Sequence, residues 1–245
     1  MGENSCIKFN STINNDTLNE IPFFKISEEL LKIIERDGFI KLTPLGALPK
    51  KILTELYEYK FIIEQLIESG INKLWREDDC IAIKTARIVC TSTNLVKKSN
   101  GKLLLTKNGE RCLKSENRVE LFKVIFLIFT EKYNWGYSDG YPNEPVGQYG
   151  YLFSIFLLKK FGKNENPENF YALKYLKVFE KFITLFDEDY STPEEQFNNC
   201  YYLRTFERFT DWFGFTKTIG NRSLFSEQKV KIIKTELLDK IFIYN

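Results

Sequence analysis

Leu95-Val96-Lys97-Lys98-Ser99-Asn100-Gly101-Lys102-Leu103-Leu104-Leu105-Thr106-Lys107-Asn108-Gly109 is the stretch from which the fold can be read. Asn100-Gly101 is the residue pair best suited to positive φ at both central positions of a tight hairpin turn, so the stretches on either side pair as strands. Thr106 follows the second strand, 102–105, and its hydroxyl can cap a helix running through Gly109, Arg111 and Leu113. A strand entering a threonine recurs at Ile40-Lys41-Leu42-Thr43 and at Ile232-Ile233-Lys234-Thr235. Gly46 stands three residues past Thr43, as Gly109 does past Thr106. A helical stretch, a strand and a turn precede the second and third copies.

Working outward, Ser27 reads as an N-cap, with Glu28 and Glu29 in the first turn and Leu30, Leu31, Ile33 and Ile34 as the apolar face. Gly38 closes that helix and 39–42 forms a strand. Thr43-Pro44 then starts a helix carrying Leu48, Ile52, Leu53 and Leu56. A further helix is expected around Phe61, Ile62, Leu66 and Ile67, ending at Gly70. Asp78 or Asp79 caps the next, 80–94, whose Lys84, Arg87, Thr91 and Asn94 recur at steps of three, four and three and share one face. Its other side, Ala82, Ala86, Val89 and Cys90, is small and apolar. Beyond residue 116 the spacing predicts aromatic helices over 119–133, 150–161, 170–186 and 197–213. Residues 215–219, the Gly220-Asn221 turn and 230–233 repeat the hairpin, and Thr235 opens a closing helix with Leu237, Leu238, Ile241 and Phe242.

Composition narrows the chemistry. The 245 residues are 43% hydrophobic and 16% aromatic, enough for one large core or two smaller ones. Thirty-five basic residues against 33 acidic ones leave a charge of +2, which gives no general attraction to a polyanion. The five cysteines are odd in number and widely spaced, which fits reduced thiols better than a disulfide framework or a zinc site. No apolar signal region stands at the N-terminus, and the longest apolar run, 124–129, is core-sized. A cytoplasmic protein without membrane contact is the resulting expectation.

The chain has no histidine, which removes histidine-assisted nucleophiles and the His-Glu-x-x-His zinc helix. It also lacks a Walker loop, a G-x-G-x-x-G turn and a G-x-S-x-G elbow. No catalytic, cofactor-binding or metal-binding residue is therefore assigned. Asp187, Glu188, Asp189, Glu194 and Glu195 form an acidic group, but Ser191 or Thr192 with Pro193 and the two glutamates reads as a helix start. The aromatic loop 135–142 has too many turn formers for regular structure. Tyr137, Asp139 and Tyr141 could line a ligand pocket there, or the rings could simply pack.

Charge is unevenly placed. Between residues 84 and 118 nine basic residues meet two acidic ones, a local +7, whereas 165–195 carries −5. The helix face of Lys84, Arg87, Thr91 and Asn94 together with the turn lysines Lys97, Lys98 and Lys102 is the candidate nucleic-acid site, with DNA as the candidate partner. The alternative reading makes these an ordinary solvated surface. The aromatic C-terminal half would then recognise a protein partner or a second copy, as a homodimer.

Residues 95–113, with their hairpin and Leu-Thr-Lys-Asn-Gly-Glu-Arg turn into a helix, resemble the wing of bacterial winged-helix regulators of the MarR or ArsR type. With Ile40-Lys-Leu-Thr-Pro-Leu-Gly and Trp75, the region 28–115 is also loosely similar to the C-terminal region of the uncharacterised plasmid pRiA4b ORF-3-like proteins, which carry no established activity. The resemblance to the regulators implies that the helix before the wing, 80–94, reads DNA. The expected fold is mainly α with small β-hairpins, an α+β class, with tandem winged-helix-like modules and an aromatic-rich helical C-terminal half. The expected divisions are a mobile arm at 1–20, a winged-helix-like region at 21–116 and a helical region at 117–245 that ends in a similar hairpin and helix.

Overall fold

A computed structural model of the chain describes residues 5–188, 191–220 and 230–244. It is mixed α+β, mainly helical, with small antiparallel sheets. Two compact units divide it: Asn14–Tyr133, and Asn134–Asn245 together with Met1–Ile13. The division thus falls at 133/134 and not at the expected 116/117, because the helix after 116 carries Phe122, Phe126 and Phe129 into the first core. The stretch expected as an arm contains strand β1 (Ile7–Phe9) and helix α1 (Asn15–Asn19), with Ile7, Ile13 and Leu18 buried.

In the unit 14–133, α1 is followed by α2 (Pro22–Asp37), β2 (Ile40–Lys41), α3 (Lys50–Glu58), the single-turn α4 (Gln65–Glu68), α5 (Ile81–Thr91), the hairpin β3 (Val96–Ser99) and β4 (Lys102–Leu105), α6 (Lys107–Cys112) and α7 (Arg118–Glu131). Pro22 presets φ in the first turn of α2 and Gly38 ends it at φ 74°. Ser27 is therefore inside the helix and donates to the Phe23 carbonyl at 2.9 Å, not a cap as expected. Phe23 and Phe24 meet Phe129 and Phe122 of α7 edge-on, at ring separations of 5.0 and 5.8 Å. Burying each such ring contributes about 2 kcal/mol.

Thr43 opens no helix. Its backbone amide donates to the Ala47 carbonyl and its hydroxyl accepts from the Ala47 amide, closing a turn, and α3 begins at Lys50. The strands pair antiparallel in the order β2-β4-β3, with Ile40 opposite Leu103, Lys41 opposite Lys102 and Ser99 opposite Lys102. Asn100 and Gly101 both hold positive φ, 48° and 70°, as the hairpin reading requires.

In the other unit, α8 (Tyr151–Phe161), β5 (Asn166–Pro167), α9 (Glu168–Leu176), α10 (Pro193–Tyr201), β6 (Thr216–Ile219), β7 (Lys231–Lys234), α11 (Glu236–Ile241) and β8 (Phe242–Tyr244) follow in order. Thr192 and Glu195 cap α10 reciprocally, with Pro193 at the first position, as read from the sequence. α10 runs on as a π-helix through Tyr202–Thr210. The helix expected over 170–186 stops at Leu176 and gives way to a 3-10 stretch, Glu180–Leu185. Strand order is β5-β7-β6, and β8 pairs separately with β1. Of the expected Gly220-Asn221 turn, Asn221 lies outside the described residues. The core is aromatic: Tyr171, Tyr175, Phe197, Tyr201, Phe206 and Phe209 are each buried. The Tyr201 and Ser154 hydroxyls share a hydrogen bond of 2.9 Å, which satisfies polar atoms that burial would otherwise leave bare.

Candidate nucleic-acid interface

The helix face that the sequence nominates is engaged by its own neighbourhood. Residues 77–79 form a 3-10 turn just ahead of α5, which places two carboxylates beside the helix's first turns. Arg87 donates Nε and Nη2 to the two oxygens of Glu77 at 2.6 and 2.8 Å. Glu77 is buried and its Oε1 also accepts from the Leu48 amide at 3.3 Å. Lys84 pairs with Asp78 at 2.5 Å, its side chain only 12% exposed, and holds the Asp78 carboxyl below the usual range. Thr91 donates back to the Arg87 and Ile88 carbonyls at 2.9 and 3.0 Å. α5 ends at Thr91, so Asn94 does not share its face; Asn94 accepts from Asn108 at 3.1 Å beyond the helix end. Lys84, Arg87, Thr91 and Asn94 therefore do not form one open reading surface. The signal missed was Glu77-Asp78, whose carboxylates precede the helix and take up its Arg87 and Lys84 side chains.

The wing lysines are placed differently. Side chains opposite one another across antiparallel strands share a face, and alternate residues return to it. Lys41, Lys102 and Ser99 make one rung on the outer side, and Lys97 with Leu104 makes the next. Ile40, Leu103 and Val96 occupy the buried side. Lys98, on that same side but at the edge strand, projects past the core, its Nζ 3.4 Å from where a β-carbon would stand at Gly46. Lys102 lies 3.9 Å above the Phe39 ring, a cation–π contact that steadies its stem. Among the described residues no carboxylate lies within ion-pair distance of Lys41, Lys97, Lys98 or Lys102. Lys41 joins the face only through pairing of β2 with β4, a long-range contact that no local pattern contains.

The remaining candidates separate in the same way. Asp139 is fully buried against Arg204, so it is a structural carboxylate and not a pocket group. Tyr137 is half exposed and Trp135 is core. Asp187 and Glu188 face solvent, whereas Asp189 lies outside the described residues. Among the described residues no three Cys, Asp or Glu side chains gather as a metal ion would require. All five cysteines are free thiols. No helix among the described residues is long and apolar enough to cross a membrane. The chain matches no protein-family model, no curated protein and no solved structure.

Proposed function

We propose that this protein binds nucleic acid without catalysis, through a winged-helix-like unit whose outer sheet face grips the phosphate backbone. The observation that carries the reading is the convergence of Lys41, Lys97 and Lys102, one from each strand, on a single outer face with no carboxylate partner among the described residues. Lys98 adds a fourth ammonium from the wing's edge. The element order helix, strand, helix, helix, hairpin, leaving aside the single-turn α4, and the strand order β2-β4-β3 support the winged-helix comparison. In this reading α5 sets the position of the wing, because its Arg87 and Lys84 are already paired. Contacts to phosphate position a protein without reading sequence, so the expected binding is general for duplexes.

Four phosphate contacts contribute about −3.6 to the slope of log affinity against log salt, so through this face alone a fourfold rise in salt weakens binding roughly 150-fold. Fluorescence anisotropy of a labelled random duplex over a salt series measures this directly. The variant Lys41→Gln/Lys97→Gln/Lys98→Gln/Lys102→Gln is expected to lose most of the affinity and to make the slope shallower by about 3.6. Binding that ignores salt, or whose salt slope the fourfold substitution leaves unchanged, would rule the reading out.

A second reading, a protein-interaction or self-association scaffold, is favoured by one observation. In the unit 14–133, Tyr59, Ile63, Leu66, Ile71 and Trp75 are all strongly exposed within one short segment. Sedimentation of the native chain against Leu66→Ser/Ile71→Ser separates the two: an oligomer lost in the variant supports the scaffold, and a monomer in both removes self-association.

A further inference from the structure

The two three-stranded sheets have the same register as well as the same order. Lys41 opposes Lys102, the first residue of β4, and Pro167 opposes Lys231, the first residue of β7. Val96 pairs with Leu105 and Ser99 with Lys102; Thr216 pairs with Lys234 and Ile219 with Lys231. One step beyond the short strand, the Leu42 amide donates to Gly101 at 2.8 Å and the Glu168 amide to Val230 at 3.1 Å. At the far end, Thr106 donates its amide to Leu95 and its hydroxyl to Asn94, at 3.0 and 2.7 Å. Thr235 does the same to Phe215 and Gly214, at 2.9 and 2.7 Å. Apart from the single-turn α4 of the first unit, the order helix, short strand, helix, helix, hairpin and threonine-led helix is thus repeated, with these strand and threonine hydrogen bonds matched.

That equivalence has chemical content. Lys97 corresponds to Lys217 and Lys102 to Lys231, so two of the three lysine positions of the outer face recur. Both Lys217 and Lys231 are exposed, flanked on that face by Ile219 and Ile233. Lys231 meets Glu165 at 3.0 Å, but the two side chains are 53% and 45% exposed, and such pairs are weak enough for a phosphate to displace. The positions of Lys41 and Lys98 are taken by Pro167 and Thr218, so this face has two cations where the other has three, with Lys98 as a fourth at its edge.

We infer that the chain is an internal repeat of one module and that Lys217 and Lys231 form a second face for the phosphodiester backbone of nucleic acid. The inference rests on the nucleic-acid reading above. It predicts that each module contributes to affinity in proportion to its lysines.

The test uses the full chain and a labelled random duplex over a salt series, with Lys217→Gln/Lys231→Gln, Lys217→Arg/Lys231→Arg and the fourfold Gln variant of the other face. Removing two phosphate contacts should make the slope shallower by about 1.8, so a fourfold salt rise weakens the Gln variant about twelvefold less than the native protein. The Arg variant should keep the native slope. A native slope in the Gln variant, while the native protein binds and the fourfold variant shows its shallower slope, overturns this inference and leaves the first reading standing. No binding by the native protein overturns both. Phosphatidylserine vesicles serve as the other arm: loss of vesicle binding with unchanged duplex binding would assign the face to a membrane surface and overturn the inference.

Discussion

Arg87 and Glu77 form a two-bonded ion pair at 2.6 and 2.8 Å, the carboxylate almost wholly buried and also receiving the Leu48 amide. Removing one partner leaves an uncompensated buried charge, which typically costs about 3 kcal/mol or more. Arg87→Ala and Glu77→Gln are therefore expected to lower stability by about that amount while leaving duplex affinity of the folded protein unchanged. Denaturant unfolding and anisotropy check the two halves. An Arg87→Ala protein as stable as the native one but deficient in binding would return the helix to the interface.

Arg204 is the corresponding anchor of the loop 136–148. It donates to Asp139 at 2.6 and 3.2 Å and to the carbonyls of Pro142 and Glu144 at 2.7 Å each, with neither charged side chain exposed. A β-carbon at Gly136 would stand 2.7 Å from its Nη2, which accounts for glycine there. Asp139→Ala should destabilise the fold by about 3–5 kcal/mol. It should also open the loop to limited proteolysis, read as a new cleavage between residues 136 and 148.

Asp211 carries a pH dependence. Burial pushes its carboxyl up to about 6, against hydrogen bonds donated by Thr216 and Thr218 of β6, with Glu207 adding repulsion. The folded chain then keeps a proton that the unfolded chain releases near pH 4, so stability falls as pH rises from about 4 to about 6. Above that window the cost is complete, about 3 kcal/mol. Asp211→Asn is expected to raise stability at neutral pH and leave it unchanged near pH 4, as measured by denaturant midpoints at both. Equal effects at the two pH values would show that ionisation is not the cause.

Thiol chemistry gives a further check. Burial raises the Cys80, Cys90 and Cys200 thiols to about 12 and moves Cys112 upward as well, while Cys6 is exposed. Since only thiolates react, one cysteine should label rapidly with a disulfide reagent in the native protein and all five in denaturant. Rapid labelling of two or more native thiols would contradict the packing.

Hairpin chemistry was legible from local residues, because Asn100-Gly101 and Thr106 specify their own geometry. Three strand-to-threonine motifs were visible, yet two are equivalent: Thr106 and Thr235 close hairpins, whereas Thr43 closes a turn before α3. The shared glycine of the first two has two unrelated causes. Gly46 supplies φ 78°, and Gly109 makes room for the Leu95 carbonyl, 2.3 Å from where its β-carbon would be. Helix ends at 91 and 176 escaped the spacing, since Asn94 keeps the polar step of three past the first and Val178, Phe179, Phe182 and Ile183 continue the apolar pattern past the second. The lysine face was legible in part: Lys97 and Lys102, with Lys98 at the edge, lie in one segment, but Lys41 joins them only through the pairing of β2 with β4.

In the proposed function the outer sheet face with its edge lysine, and not the helix before the wing, meets nucleic acid. Acetylation footprinting of the native chain with and without a duplex, read by mass spectrometry, addresses each lysine separately. Lys41, Lys97, Lys98 and Lys102 should become protected on binding, with Lys84 equally unreactive in both states because Asp78 already holds it. Binding with those four lysines as reactive as in the free protein would contradict the claim.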